Sequence, residues 1–223
     1  MTDNKTQRVS VEQQIPTIIA EMQASADAFH ETGPGISVFG SARISRDHPY
    51  YALGLELGKR IAGIGLPVIA GGGPGLMEAA NRGAFEAGGR SIGLNIRLPF
   101  EKKDNTYQTN SLYFDYFHTR KSAFFMNSLA YVVLPGGFGT LDELFEALTL
   151  MQTKKQPAVP VILVGTAFWS GLVEWVRTQV QPLRMINPGE LDRLLVSDDP
   201  DEIVRHLQQA AQIGQPREPA LPT

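Results

Sequence analysis

Two glycine-rich stretches are where this chain could do chemistry. In the first, Gly71, Gly72, Gly73 and Gly75 follow the apolar run Pro67 to Ala70 and lead into a helical pattern that opens near Leu76 and Met77. In the second, Pro135, Gly136, Gly137 and Gly139 follow Tyr131 to Leu134, and Thr140 opens the next helical pattern. A turn without β-carbons lets backbone N–H groups close on an anion at the positive end of a helix. A single such turn is also what any tight strand-to-helix connection needs. Two of them, expected on adjacent strands, point to one phosphorylated ligand.

Charged residues stand close to both loops. Thr140 followed three residues later by Glu143 is a capping-box pattern, in which both side chains satisfy free N–H groups of the first helical turn. The alternative is a carboxylate at the mouth of the loop, facing a reacting sugar. Asp142 reads as a solvated acid complementing the helix dipole. Arg120 and Lys121 lie near the start of the helical segment FHTRKSAFFMNSL. Cations there oppose the dipole, so the placement asks for an anionic partner, either a ligand or Glu143. His118 is a reserve candidate, since histidine is a common acid or base in catalysis. Phe124, Phe125 and Met126 read as core or subunit interface.

Several chemistries are excluded. Leu76 stands where G-x-G-x-x-G needs its third glycine, and Asn95 and Arg97, not an acid, follow the next strand, which disfavours a dinucleotide site. The string GLELGKR from Gly54 lacks the spacing and hydroxyl of a phosphate-binding NTPase loop. No G-x-S-x-G elbow is present. His30, His48, His118 and His206 are far apart with no recurring acidic partner, so no metal is expected. With no Cys there is no thiolate, disulfide or thiolate-bound metal. Twenty Lys and Arg against 23 Asp and Glu give a net charge of −3, without the basic field that nucleic-acid binding requires. No apolar run is long enough to span a bilayer and the N-terminus is polar, so the chain reads as soluble and cytoplasmic.

The elements that must hold these residues alternate. Strands are expected at Ile36 to Phe39, Pro67 to Ala70, Ser91 to Asn95, Leu112 to Asp115, Tyr131 to Leu134, Val159 to Val164 and Leu194 to Val196. Helical stripes run over 50–62 (Leu53, Leu57, Ile61), 141–153 (Leu144, Leu148, Met151) and 200–212 (Ile203, Leu207, Ala211). Alternation of this kind requires right-handed crossovers, and hence a doubly wound α/β fold with a parallel sheet of six to seven strands. Ligands bind such sheets beyond the carboxyl ends of the strands. Residues 1–33 are expected to be an extension with a short outer helix over 11–29, weakened before Pro16. Residues 34–213 form a single domain, and 214–223 a mobile tail rich in proline.

The motifs resemble the LONELY GUY family, often labelled "possible lysine decarboxylase". Its GGG-x-x-GLM loop is similar to Gly71 through Met77, and its PGG-x-GT-x-x-E loop to Pro135 through Glu143, preceded by the Arg120-Lys121 pair. The resemblance covers roughly residues 35 to 205. It implies a homodimeric Rossmann-like hydrolase that cleaves the N-glycosidic bond of nucleoside 5′-monophosphates, cytokinin ribotides among them, to free base and ribose 5-phosphate. It maps the catalytic pair onto Arg120 and Glu143. Phosphate and ribose contacts fall on the two glycine loops, Met77, Lys121 and Thr140, with Gly40 and Ser41 as neighbours. Plant-type members have glycine where this chain has Glu78, and the segment NIRLPFEKKDN is longer here. Both features are similar to a longer bacterial branch, for which adenosine monophosphate is a candidate substrate. A decarboxylase would need a Schiff-base lysine with an acid for the pyridinium of pyridoxal phosphate. Lys121 beside Arg120 offers no such site, and no cofactor is expected.

The expected mechanism follows from the bond. Breaking C1′–N leaves positive charge on the sugar and negative charge on the base. The Glu143 carboxylate would stabilise the sugar and activate water, as carboxylates do in glycoside hydrolysis, while the loops hold the phosphate. Arg120 would keep Glu143 in place. A second reading is a binding module that carries a phosphorylated, pterin-type cofactor on the same loops.

Overall fold

The computed structural model describes residues 10–98 and 104–214. The first nine residues, part of the long NIRLPFEKKDN segment and all but the start of the expected tail lie outside this range. Seven strands form one parallel sheet: β1 (Gly35–Phe39), β2 (Val68–Ala70), β3 (Ser91–Ile96), β4 (Asn110–Phe114), β5 (Ser128–Val133), β6 (Val161–Leu163) and β7 (Leu194–Val196). Every pair is parallel, and the spatial order is β4-β3-β2-β1-β5-β6-β7. Strands covered on both faces cannot alternate polar and apolar residues, which is why β2 and β6 read as unbroken apolar runs and are buried throughout.

The helices are α1 (Val11–Thr32), α2 (Pro49–Gly63), α3 (Leu76–Glu86), α4 (Phe117–Met126), α5 (Phe138–Gln152), α6 (Thr166–Trp175) and α7 (Pro200–Gly214), with a π-helical turn at Val176–Val180. Successive strand residues point to opposite faces. Ile36 and Val38 meet Leu57 and Ile61 of α2, Leu76 and Ala80 of α3, and Ile203 and Leu207 of α7. Phe39 points the other way, into the layer of Phe29 (α1), Phe124 (α4), Leu144 (α5) and Trp169 (α6). This is the expected Rossmann-like, doubly wound architecture.

The N-terminal helix is longer than its sequence suggested. Ser10 and Gln13 form a reciprocal capping box that starts α1 ahead of Pro16. The helix passes through the proline, forgoing one internal hydrogen bond. The chain order locates the cleft. From β1 it steps outward through β2, β3 and β4, then returns to the other side of β1 with β5, so the winding reverses at β1 and β5, where doubly wound sheets open a crevice.

Candidate active site

Three turns converge on this reversal. β1 ends in Gly40-Ser41, and Ser41 joins the glycine loops: its N–H donates to the Pro135 carbonyl at 3.0 Å, and its carbonyl accepts the Leu76 N–H at 2.9 Å. A β-carbon on Gly40 would lie 2.8 Å from Leu76 Cβ, and one on Gly75, whose φ is +71°, would lie 2.4 Å from the Ser41 carbonyl oxygen. The loops therefore follow β2 and β5, which flank β1, and not adjacent strands as the sequence suggested. Among the described residues, the N–H groups of Gly71, Gly72, Gly73, Gly136 and Gly137 meet no acceptor. Such groups at a helix N-terminus favour an anion.

Arg120 and Glu143 meet beside the first glycine loop. Arg120 Nη2 donates to Glu143 Oε1 at 3.0 Å, with 8% and 9% of the two residues exposed. The capping box expected of Thr140 and Glu143 does not form. Helix α5 starts at Phe138 with Gly137 as its cap, so Glu143 is six residues along the helix and turns toward α4 instead. Thr140, itself buried, folds back over Gly136, where its hydroxyl lies 2.1 Å from the place a β-carbon would take. The Arg120 guanidinium rests on the Phe117 and Phe124 rings, 5.1 and 5.9 Å from their centroids. One of its nitrogens, Nη1, lies 3.7 Å from where a β-carbon of Gly71 would be. Arg120 Nε is buried and has no partner among the described residues.

This placement sets the charge balance. Burial pushes the Glu143 carboxyl up to about 7, against the pull of Arg120. The same burial holds Arg120 below its ordinary value, which for a guanidinium still leaves it charged. A carboxylate poised near neutrality beside a fixed cation suits water activation and stabilisation of a developing positive charge.

The other expected site residues are distributed unevenly. Lys121 turns to α5, with Nζ 2.9 Å from Asp142 and 2.5 Å from Glu146. Burial works against its charge, but these two carboxylates prevail and raise its pKa. Asp142 is thus a partner of Lys121, not merely a solvated acid. Met77 packs against the first loop, its sulfur 2.4 Å from where a β-carbon of Gly71 would be. Glu78 accepts from Arg46 Nε and from the Tyr51 hydroxyl, each at 2.7 Å, and so ties α3 to α2 and the loop after β1. His118 is exposed and stacks on Tyr116. Among the described residues, no three His, Asp or Glu side chains are grouped to hold a metal, and no helix is long and apolar enough to cross a membrane.

Two sets of residues escaped the sequence reading. Asn81, Asn95, Asn105 and Gln108 form an amide cluster behind the first loop, and nothing in their spacing signals it. Glu21 of α1 is buried against the start of α4, where it accepts the Asp115 N–H at 2.5 Å and the Thr119 hydroxyl. It offsets the dipole that disfavours cations at that helix start. An apolar cavity of about 300 Å³, lined by Leu148, Met151, Leu172, Trp175 and Leu194 among others, shares no residue with the glycine loops.

A parallel sheet with anion-ready turns at its switch point and a buried acid–cation pair beside them defines the chain as a Rossmann-like protein with a candidate anion site. Comparison with known proteins is more specific. The family described as "Possible lysine decarboxylase" matches residues 77–207, and the chain belongs to this family, the LONELY GUY family. The chain is 32% identical over 157 residues to the cytokinin riboside 5′-monophosphate phosphoribohydrolase of Mycobacterium tuberculosis, covering 69% of this chain and 82% of that one. It is 26% identical over 176 residues to a probable enzyme of the same name from Oryza sativa subsp. japonica, covering 78% of this chain and 70% of that one. The molybdenum cofactor carrier protein of Chlamydomonas reinhardtii shares the fold at a TM-score of 0.61 and 23% identity, over 81% of this chain and 99% of that one.

Proposed function

We propose that the protein hydrolyses the N-glycosidic bond of nucleoside 5′-monophosphates, adenosine monophosphate or cytokinin ribotides, releasing base and ribose 5-phosphate. The observation that carries this reading is the buried Arg120–Glu143 pair set against the first glycine loop. The relatives named for this reaction support it.

The free N–H groups of the loops take the 5′-phosphate, with Thr140 beside them. The phosphate is remote from the reacting bond, so its binding energy can be used to aim the sugar. Glu143 in its charged form stabilises the oxocarbenium-like C1′ and accepts a proton from the attacking water, whose oxygen bonds to C1′ as the C1′–N bond breaks; the base leaves with that electron pair and takes up a proton from solvent. Arg120 keeps the carboxylate in place and presents its unpaired Nε to the ligand. Lys121 braces α4 to α5. A carrier of a phosphorylated cofactor would need the loops but not a buried acid near the sugar, and this pair therefore favours the enzyme.

We also propose a homodimer. Phe117 and Met126 of α4 and Phe138 and Phe145 of α5 are exposed, and Phe138, Leu141, Phe145 and Thr149 line a shallow apolar hollow that a second copy would cover.

The test is to incubate the purified protein with a panel of nucleoside monophosphates and measure free base and ribose 5-phosphate. Release from at least one monophosphate and none from the corresponding nucleoside is expected. Tight nucleotide binding without cleavage across the panel would overturn the hydrolase reading and favour the carrier.

A further inference from the structure

The first glycine loop is held from behind by side chains of the connection between β3 and β4. Three donors converge on the Gly72 carbonyl: the Asn105 N–H at 2.8 Å, Asn105 Nδ2 at 2.9 Å and Gln108 Nε2 at 3.1 Å. Asn105 Nδ2 also reaches the Gly73 carbonyl and Asn81 Oδ1, both at 3.1 Å, while Asn105 Oδ1 accepts the Tyr107 N–H at 3.1 Å. Gln108 is fixed in turn. Its Oε1 accepts from Asn95 Nδ2 at 3.0 Å and from the Ser111 hydroxyl at 2.7 Å, and its Nε2 also donates to Asn95 Oδ1 and the Asn105 carbonyl.

Each side-chain amide nitrogen has two hydrogens to share among three acceptors, but the Gly72 carbonyl is common to both and also takes the Asn105 backbone N–H, so all its donors lie on one side. The arrangement settles a direction. In a trans peptide the carbonyl and the following N–H point opposite ways. With the Gly72 carbonyl gripped from the 105–108 side, the Gly73 N–H must face away from that segment, and among the described residues it meets no acceptor. Only glycine fits at position 72: its φ is +76°, and a β-carbon would lie 1.8 Å from Asn95 Oδ1.

We infer that Asn105 and Gln108 are positioning residues that hold the Gly72–Gly73 peptide with its N–H turned outward as a fixed donor to the ligand's phosphate. The inference deepens the proposed function and rests on its assignment of the phosphate to the glycine loops. A preset donor needs no reorganisation when the anion arrives, which is where its value for binding lies. Neither side chain need touch the ligand itself.

The experiment measures binding of ribose 5-phosphate and of free adenine to the full-length protein by calorimetry, so that it does not depend on turnover. Asn105→Ala removes the side-chain donors to Gly72, Gly73 and Asn81 and adds no charge that would itself repel a phosphate; the Asn105 N–H to Gly72 remains. It should weaken ribose 5-phosphate about tenfold, the scale of one lost hydrogen bond to a charged group, and leave adenine unchanged. Gln108→Ala should act in the same direction, and Asn105→Gln should not restore binding. Thermal unfolding of each variant is followed in parallel; should Asn105→Ala fail to fold, Gln108→Ala carries the test. Unchanged ribose 5-phosphate affinity in folded variants, or an equal loss for both ligands, would overturn the inference, as would absence of ribose 5-phosphate binding by the wild type. Wild-type protein that binds ribose 5-phosphate but cleaves no nucleotide would instead remove the hydrolase reading and leave this one intact.

Discussion

Arg120 and Glu143 share a hydrogen bond of 3.0 Å where both are almost wholly withdrawn from water, yet Arg120 keeps one buried nitrogen, Nε, unpaired among the described residues. A pair satisfied on one side only is arranged for a third participant. If that participant is the substrate, Glu143→Gln should lower turnover of the preferred nucleoside monophosphate by about 10²–10⁴ while binding changes little. The amide keeps the shape and one hydrogen bond to Arg120 but carries no charge and takes no proton. Single-turnover assays with separate binding titrations check this, and wild-type base release from the variant would sink the assignment.

The raised Glu143 pKa gives a pH dependence whose sign can be worked out. The proposed hydrolysis needs the charged carboxylate, so kcat/KM should rise with pH through about 7 before any alkaline limb. The measurement is a rate profile from pH 5 to 9 under constant ionic strength. A rate already flat from pH 5 upward would mean that Glu143 ionises normally or does not take part.

The same shift enters stability with the opposite sense. A carboxyl whose pKa is higher in the folded state than its ordinary 4.5 favours folding below that ordinary value, and its contribution is lost as pH rises through about 7. Arg120→Ala leaves that carboxylate without its counter-charge. It should cost about 3–5 kcal/mol at pH 8, and clearly less at pH 5, where Glu143 is protonated. Urea melts at both pH values decide the matter; equal losses would contradict the linkage.

Glu78 offers a test away from the chemistry. Because the Tyr51 hydroxyl donates to it inside the α2–α3 contact, Glu78→Ala should destabilise by about 1–3 kcal/mol through one buried donor left unpaired. Glu78→Gln keeps an acceptor for Tyr51 and should lose less. Denaturant midpoints that rank the two variants the other way would show that the contact to the exposed Arg46 matters more than the geometry implies.

Phe138 is 92% exposed at the start of α5, where a large apolar ring in water is costly. Phe138→Glu should halve the mass seen by sedimentation if the α4–α5 ridge joins two copies. An unchanged mass would place the interface elsewhere or remove it.

Much of the fold was legible because its signals are local. Apolar runs separated by helical stripes mark a covered parallel sheet whatever the rest of the chain does, and each of the seven expected strands is present. Local patterns misled where two local readings competed. Thr140 and Glu143 satisfy the spacing of a capping box, but spacing cannot say which residue ends the preceding turn. Three residues of difference in where α5 begins moved Glu143 from a cap to a cross-helix ion pair.

By itself, the order of residues determined the architecture, the two glycine turns and the short set of charged candidates, since all three depend on neighbours within one element. Only the tertiary structure decided what those candidates face. The glycine loops lie on either side of β1 because the sheet reverses there, Lys121 answers to Asp142 and Glu146, and Asn105 and Gln108 come more than 30 residues back along the chain to grip Gly72. Contacts between distant segments are set by strand order and by which face of each helix is buried, and neither is written in the spacing of any single segment.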